Sequence, residues 1–470
     1  MMIDKARELA LKVLYKIDVD KAYSNIVLDE MIKQNINFLN EKDIGLISEI
    51  VYGVTTWRLT LDSIIKKYSK IRLKKISPWI INILRMSIYQ IVFLDKIPKS
   101  AAVNEGVNLA KRYGHKSSSG FVNAILRKVS KQDYEDLFNI EDEKERISKI
   151  TSTPEWIIEE LKKEGMKLNK IEQICKNSNI RPKVSIRVNT LKITKEDLKK
   201  SLMEKGIKVE DGILEDFLIL DKAKGLENIK EFKDGLFTVQ DEAAGLTSLI
   251  LKPNKGDKIL DACSSPGGKT TYIAQIVENN AEIEAWDLHE SRIKLVEQNA
   301  NRLGINIIHT KVNDATKYDE KYFEKFDKIL LDVPCLGLGV LKRKPDIKWQ
   351  RKREDIENIS KIQYEILNTC SKYLKPGGVL VYSTCSILDS ENKEIISKFL
   401  KENKDFDLSK IKIQDEKNTT NNYFEKYIVN NKFLQVYQNE KTDGFFICKL
   451  IKKGKKWQCY RNITFLLRLC

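Results

Sequence analysis

Two cysteines stand where a chain can do covalent chemistry on a flat ring. Cys335 closes Ile329-Leu330-Leu331-Asp332-Val333-Pro334-Cys335, and Cys385 closes Val379-Leu380-Val381-Tyr382-Ser383-Thr384-Cys385. Each follows an apolar run with the length of a buried strand. A third run, Lys258-Ile259-Leu260-Asp261, leads into the turn Ala262-Cys263-Ser264-Ser265-Pro266-Gly267-Gly268-Lys269-Thr270. Ligands of open α/β sheets bind beyond the carboxyl ends of the strands. A cofactor turn and two thiols at such ends point to methylation of a pyrimidine ring. Pyrimidine C5 is a poor nucleophile by itself. A thiolate that adds to C6 makes C5 enamine-like, so that C5 attacks a sulfonium methyl; a base then removes the C5 proton and the thiol leaves. Two cysteines at neighbouring strand ends suit a division of those roles, and Asp332 suits the N3/N4 edge of a cytosine. Taken singly, either cysteine reads more readily as a core thiol, and Cys175, Cys370 and Cys448 are read that way.

The turn itself discriminates between cofactors. Gly267 and Gly268 let the backbone approach a ligand closely. The dinucleotide fingerprint GxGxxG is absent, and the phosphate loop GxxxxGK[ST] fails because Cys263 stands at its first glycine. ATP therefore becomes a weak alternative. Asp261, Asp287, Asp314 and Asp332 follow four successive predicted strands. A lone Asp at a strand end is usually a turn former, but four in register are not explained that way. A carboxylate after the second strand suits a ribose diol, and one after the third suits an adenine amine. The set fits S-adenosyl-L-methionine. In this turn only the backbone of Cys263 need matter.

The elements that must carry these residues fall into three stretches. With 470 residues, two or three domains are expected. Residues 1–140 read as all helix: Ala6, Leu9, Ala10, Val13, Leu14 and Ile17 form one buried stripe, and further helices are predicted at 42–57, 78–94, 101–113 and 121–129. Residues 141–235 combine a charged, linker-like stretch at 141–145, helices at 156–164 and 195–205, and a strand at 184–189, which suits a small α+β module. From 236 to 453 strands alternate with helices, the pattern of a mainly parallel, Rossmann-like sheet covered on both faces. Strands are predicted at 258–261, 283–287, 306–312, 328–332, 379–383, 433–437 and 444–450. The segment 454–470 has no evident role. A net charge of +16 and a pI near 9.1 favour an anionic partner. Eight cysteines without a CxxC pair argue against a zinc ribbon and for a reducing cytosol. No signal peptide or membrane span is visible, since no apolar run approaches ~18 residues. A cytoplasmic protein with no membrane partner is expected.

The motifs taken together resemble a known family. The turn 261–270, Asp332-Val333-Pro334-Cys335 with Gly337, Gly339 and Arg343-Lys344-Pro345-Asp346, and Tyr382-Ser383-Thr384-Cys385-Ser386 are similar to the signatures of the RNA cytosine-C5 methyltransferases of the Nol1/Nop2/Sun type. Gln240-Asp241-Glu242 resembles the motif before their first catalytic strand. Leu84–Gln90 and Phe121–Arg127 resemble a NusB-like RNA-binding domain, a pairing characteristic of the Sun/Fmu branch. The resemblance runs to about residue 453. It implies that Cys385 attacks C6 and that Cys335 assists proton removal and release. It places the cofactor on Cys263, Ser264, Ser265, Pro266, Gly267, Gly268, Lys269, Asp287, Asp314 and Asp332. The implied partner is 16S ribosomal RNA before 30S assembly, bound by a monomer that needs no metal. Leu336 departs from the family, which has a serine after the first cysteine. Two alternatives stay open: a tRNA cytosine-C5 methyltransferase, disfavoured by the NusB-like helices, and a non-catalytic assembly factor, disfavoured by the paired cysteines and the four acids.

Overall fold

The computed structural model describes residues 4–131, 138–221, 225–413 and 423–454. All but the first residue of the segment 454–470 lies outside them. The chain divides into two compact units, one of residues 1–180 and 341–353, the other of 181–340 and 354–470. The first boundary falls within the stretch 141–235 that the sequence groups as one module.

The first unit is helical. Its ten principal helices are α1 (Lys5–Val19), α2 (Ser24–Asn35), α3 (Glu41–Thr56), α4 (Arg58–Tyr68), α5 (Pro78–Phe93), α6 (Lys99–Tyr113), α7 (Ser118–Val129), α8 (Glu143–Thr151), α9 (Glu155–Lys163) and α10 (Leu168–Asn177). The Asp4 carboxylate caps α1 by accepting from the Arg7 N–H at 2.8 Å, and the expected stripe is buried except for the partly buried Ile17. Helix α5 starts on a Ser77 cap with Pro78 in its first turn and is buried nearly all round, as the central helix of a bundle must be. Its Arg85 is neutralised by Asp18 (2.6 Å) and Asp62 (2.7 Å). Four of these helices, α2, α4, α8 and α10, escaped the sequence reading. The periodicity of α4 is hidden because Trp57 closes α3 and opens α4 with no breaking residue. In α2 no side chain caps the amino end. The charged stretch 141–145 is not a linker: Asp142 caps the Glu145 N–H at 2.7 Å and starts α8, whose first turn holds Glu143 and Glu145.

The second unit holds two sheets. The smaller is antiparallel in the order β2-β3-β1-β4, with β1 (Val184–Val188), β2 (Val209–Asp211), β3 (Phe217–Leu220) and β4 (Phe237–Val239); α11 (Lys195–Glu204) packs on it. The larger is nine-stranded. Five parallel strands run in the order β9-β8-β5-β6-β7: β5 (Lys258–Asp261), β6 (Glu282–Asp287), β7 (Ile308–Val312), β8 (Phe326–Asp332) and β9 (Leu374–Thr384). Antiparallel β13 (Phe445–Lys452), β12 (Phe433–Val436) and β11 (Ile428–Val429) extend it past β9, and β10 (Phe406–Leu408) pairs with β13. Alternate strand residues feed opposite cores. Ile259, Leu330 and Val381 face α13 (Glu242–Leu251), α14 (Gly268–Ile276) and α15 (Glu290–Leu303). Leu260, Ile329, Leu331 and Leu380 share a core with α17 (Asp355–Cys370) and α18 (Lys393–Glu402). This is the expected Rossmann-like sheet covered on both faces. Pro376-Gly377-Gly378, a sequence that ordinarily marks a turn, lies inside β9, where Gly377 takes φ +83°.

One buried cation ties the small sheet to the helix that follows the glycine turn. Arg187 of β1 is 1% exposed. It donates to the Gly268 carbonyl (2.6 Å), Thr271 Oγ1 (3.0 Å), Gln275 Oε1 (3.2 Å) and Gln240 Oε1. No carboxylate is among these partners, and burial pulls the guanidinium down to about 10. Arg187→Met would strand several buried acceptors, each costing ~1–3 kcal/mol. We expect a loss of about 2–4 kcal/mol in denaturant unfolding. Unchanged unfolding would remove Arg187 as the anchor of α14.

Candidate active site

Strands β8 and β9 are parallel with Asp332 opposite Ser383. Their exits therefore run side by side, and the two sulfurs meet: Cys335 Sγ and Cys385 Sγ are 3.0 Å apart, both partly buried. The hydrogen bond between the sulfurs, with burial and the neighbouring charges of Glu391 and Asp332, drives the Cys335 thiol well above its ordinary range. Cys335 thus holds its proton beside Cys385.

A carboxylate clamps both cysteine loops from behind. Glu391 is fully buried. Its Oε2 accepts from the Leu336 N–H (2.9 Å) and from Gln363 Nε2 (3.0 Å), and its Oε1 accepts from Ser386 Oγ. Leu336 and Ser386 each follow one of the two cysteines. Gln363 also donates to the Pro334 carbonyl (2.9 Å), and Tyr382 OH donates to the Glu391 carbonyl (2.6 Å). The contact at 336 uses the backbone N–H, so a leucine there keeps this bond. Gly339 completes the wall: its N–H donates to the Cys385 carbonyl at 2.8 Å, and a Cβ would collide with the Gly444 carbonyl.

Asp332 lies in front of this wall. It accepts from Lys269 Nζ at 2.6 Å and from Ser383 Oγ at 2.9 Å. Burial works against the Lys269 ammonium, but the charges of Asp332, Cys385 and Asp261 outweigh it and hold the proton on. Lys269 therefore sets a fixed positive charge close to Cys385.

The glycine turn occupies the switch point of the sheet. From β5 the chain crosses one way to β6 and β7 and the other way to β8 and β9, and such a crevice binds nucleotides in open α/β sheets. Gly267 takes φ +98°, and a Cβ on it would press on Val296. Ser264 is spent internally, its Oγ donating to the Trp286 carbonyl at 2.9 Å, and Ser265 Oγ donates to the Arg292 carbonyl at 3.1 Å. The Pro266 carbonyl accepts from Asn299 at 2.8 Å. Burial raises the Cys263 thiol well above its usual range, which suits a residue valued for its backbone. Asp287, 6% exposed, ends β6 and accepts from Arg292 Nε at 3.2 Å and the His289 N–H at 3.3 Å. Asp314, two residues past β7, accepts from the Thr316 hydroxyl at 2.6 Å. The sequence reading did not single out Glu391, Gln363 or Arg187; polar residues at positions of apolar surroundings are the signal that could have found them.

Three family models match the chain: 16S rRNA methyltransferase RsmB/F over residues 248–451, the NusB family over 4–131, and the RsmF/B-like ferredoxin-like domain over 153–227. A relative from Bacillus subtilis (strain 168), called "Probable ribosomal RNA small subunit methyltransferase B", is 38% identical over 95% of this chain and 99% of its own. The chain belongs to the RsmB/F methyltransferase family. A family member of the same description from Synechocystis sp. is 31% identical over 95% of this chain and 99% of its own. Among solved structures, PH0851 superposes with a TM-score of 0.79 at 25% identity, covering 96% of this chain and all of that one. NSun6 from Pyrococcus horikoshii with SFG gives 0.54 at 25% identity, over 67% of this chain and 98% of that one. The NusB-like bundle and the Rossmann-like methyltransferase domain expected from the sequence are those of this family, and the small α+β module expected within 141–235 is matched over 153–227 as ferredoxin-like.

Two outcomes follow from this geometry. Glu391→Leu removes both acceptor oxygens at similar size, so the 336 and 386 loops lose their shared anchor. Single-turnover methyl transfer should fall at least ~100-fold, the scale of a misplaced reacting group, while calorimetric S-adenosyl-L-methionine affinity stays within about twofold; wild-type turnover would sink the clamp. Burial, reinforced by Asp332, lifts the Asp261 carboxyl to about 7 despite the bond from Thr270. A carboxyl raised on folding stabilises the fold below its unfolded value, near pH 4, and that contribution is lost as pH rises through about 7. The stability of the wild type relative to Asp261→Asn should therefore fall between pH 4 and 7. A flat difference in denaturant midpoints would mean that Asp261 is ionised throughout.

Proposed function

We propose that the protein methylates C5 of one cytosine of 16S rRNA, acting in the cytoplasm as a monomer on RNA not yet assembled into the 30S particle. The observation that carries this reading is the sulfur pair at 3.0 Å, flanked by Asp332 and Lys269 at the ends of β8 and β9. The family names and the NusB-like bundle support the choice of ribosomal RNA.

The turn fits S-adenosyl-L-methionine on two features of this chain. Gly267 offers a cradle that a side chain would fill, and the buried Asp261 Oδ1 has no hydrogen-bond partner of good geometry among the described residues. The turn 263–269 with Asp287 and Asp314 would hold the nucleoside part, and the bound cosubstrate supplies an electrophilic methyl. The remaining chemistry belongs to the protein. The Cys385 sulfur bonds to C6, and the electron pair of the 5,6 double bond moves to C5, which becomes the nucleophile. Asp332 steadies the N3/N4 edge while the ring carries this charge. With its sulfur bonded to carbon, Cys385 no longer carries the charge that keeps the proton on Cys335. The partly exposed Cys335 then gives its own proton to solvent, and the resulting thiolate accepts the C5 proton. The C6–S bond breaks, the double bond is restored and Cys385 leaves as a thiolate. The base must leave its stack to reach these sulfurs.

The test is methyl transfer from labelled S-adenosyl-L-methionine to protein-free 16S RNA. We expect label at cytosine C5 with the wild type and none with Cys385→Ala. Cys335→Ala should accumulate an RNA–protein adduct that survives denaturing electrophoresis, because release fails. Robust methylation by Cys385→Ala would overturn the nucleophile assignment, and label on another atom would overturn the reaction.

A further inference from the structure

The helical unit contains a cavity of about 910 Å³ that the methyl-transfer reading leaves unused. Helices α4, α8 and α9 line it, together with the segment 341–353 that the chain sends into this unit directly after the Cys335 loop. That segment is held there by three polar contacts, the first buried and the other two partly buried: Asp346 accepts from Ser24 Oγ (2.6 Å), Lys348 Nζ donates to Asn179 Oδ1 (2.6 Å), and Trp349 Nε1 donates to the Thr55 carbonyl (2.7 Å).

The charge balance of the walls is one-sided. Asp62 and Glu155 are the acids that line the cavity, and cations outside it neutralise both: Arg85 pairs with Asp62 at 2.7 Å and Lys144 with Glu155 at 3.0 Å. Of the lining cations, Arg58 pairs with Asp18 at 2.9 Å and Lys149 with Glu145. Lys21, Lys66, Lys67 and Lys348 also line it and have no carboxylate partner among the described residues. Lys348 is the telling one. It is 1% exposed, its amide partner is neutral, and burial pulls its ammonium down to about 8. A buried ammonium without a counter-charge is costly, and an anion in the cavity would offset that cost. The indoles of Trp156 and Trp349, both partly exposed, add apolar faces to the same walls. Cations beside indoles are what a single-stranded nucleic acid requires: charge for its phosphates and π-faces for its bases.

We propose that this cavity is a second RNA site, which grips a single-stranded stretch of the substrate outside the methylation centre. The proposal rests on the reading that the substrate is RNA. Arg72, Lys111 and Arg127 do not line it. The site anchors substrate and takes no part in bond making, so its loss raises KM and leaves kcat. The cavity wall and the Cys335 loop are consecutive in the chain, so bound RNA also restrains the segment that leads out of that loop.

The experiment uses the full chain without S-adenosyl-L-methionine. A fragment of 16S RNA is titrated at several salt concentrations by fluorescence anisotropy, with the double variant Lys66→Glu/Lys67→Glu. Lys200→Glu/Lys401→Glu, which changes two exposed lysines of the other unit, is the charge-matched control. The cavity variant should bind at least tenfold more weakly than the control, and its log–log salt slope should be shallower by about 1.4, roughly 0.7 for each lost single-strand phosphate contact. Photo-crosslinking of wild type to the same RNA should label the peptide carrying Trp349. Equal weakening in the control and cavity variants, or crosslinks that avoid 341–353, would overturn the second site while leaving the RNA reading intact. A wild type that binds no RNA would overturn both. Matching thermal unfolding curves for the variants, expected because all four lysines are exposed, exclude loss of fold as the cause.

Discussion

The in-register parallel pairing of β8 with β9 is the constraint on which the rest of the site depends. Parallel strands in register end at the same level, so two chain segments 50 residues apart leave the sheet side by side. A slip of one residue would turn every side chain to the opposite face and would separate the sulfurs. The register is protected on both sides. Leu330 and Val381 enter one core while Ile329, Leu331 and Leu380 enter the other, and each core is closed by its own helices. Glu391 then converts sheet register into loop position, because a strand end alone does not fix the residue two or three places beyond it.

The electrostatics are organised in layers across this edge. Behind the cysteines lies a buried carboxylate satisfied by donors on both loops. In front lies an ion pair, Lys269 with Asp332. The surroundings of the two sulfurs differ: Glu391 and Asp332 oppose charge on Cys335, and the Lys269 ammonium lies close to Cys385. Chemically equal side chains are thereby made unequal, which a mechanism that assigns one sulfur to carbon and the other to a proton requires.

Much of this was legible in the sequence because it rests on local patterns. The strand 258–261, the alternation of strands and helices after 236, and the cysteines at strand ends are all written in short windows. What was not legible depends on distant partners. Arg187 reads as one polar residue in an alternating strand; its hydrogen bonds to α14 are set by tertiary packing. Glu391 follows Cys385 by only six residues, yet its meaning comes from Leu336 and Gln363. The helices α2 and α4 lacked the punctuation that marks an end, and the acids at 141–145 looked like solvated chain because a first helical turn attracts the same residues. The segment 341–353 reads as part of the catalytic domain, and only the three-dimensional contacts assign it to the helical unit.

That last feature governs how the protein can be made. The chain passes between its two units at three places, after residues 180, 340 and 353. On the ribosome the helical bundle emerges first, and amino-terminal domains ordinarily fold as soon as they clear the exit. Here Ser24, Thr55 and Asn179 find their partners only when residues 346–349 have been synthesised. The first unit to appear is therefore completed after the glycine turn and Cys335 have been made, and a nascent chain stopped short of residue 346 carries an unfinished bundle.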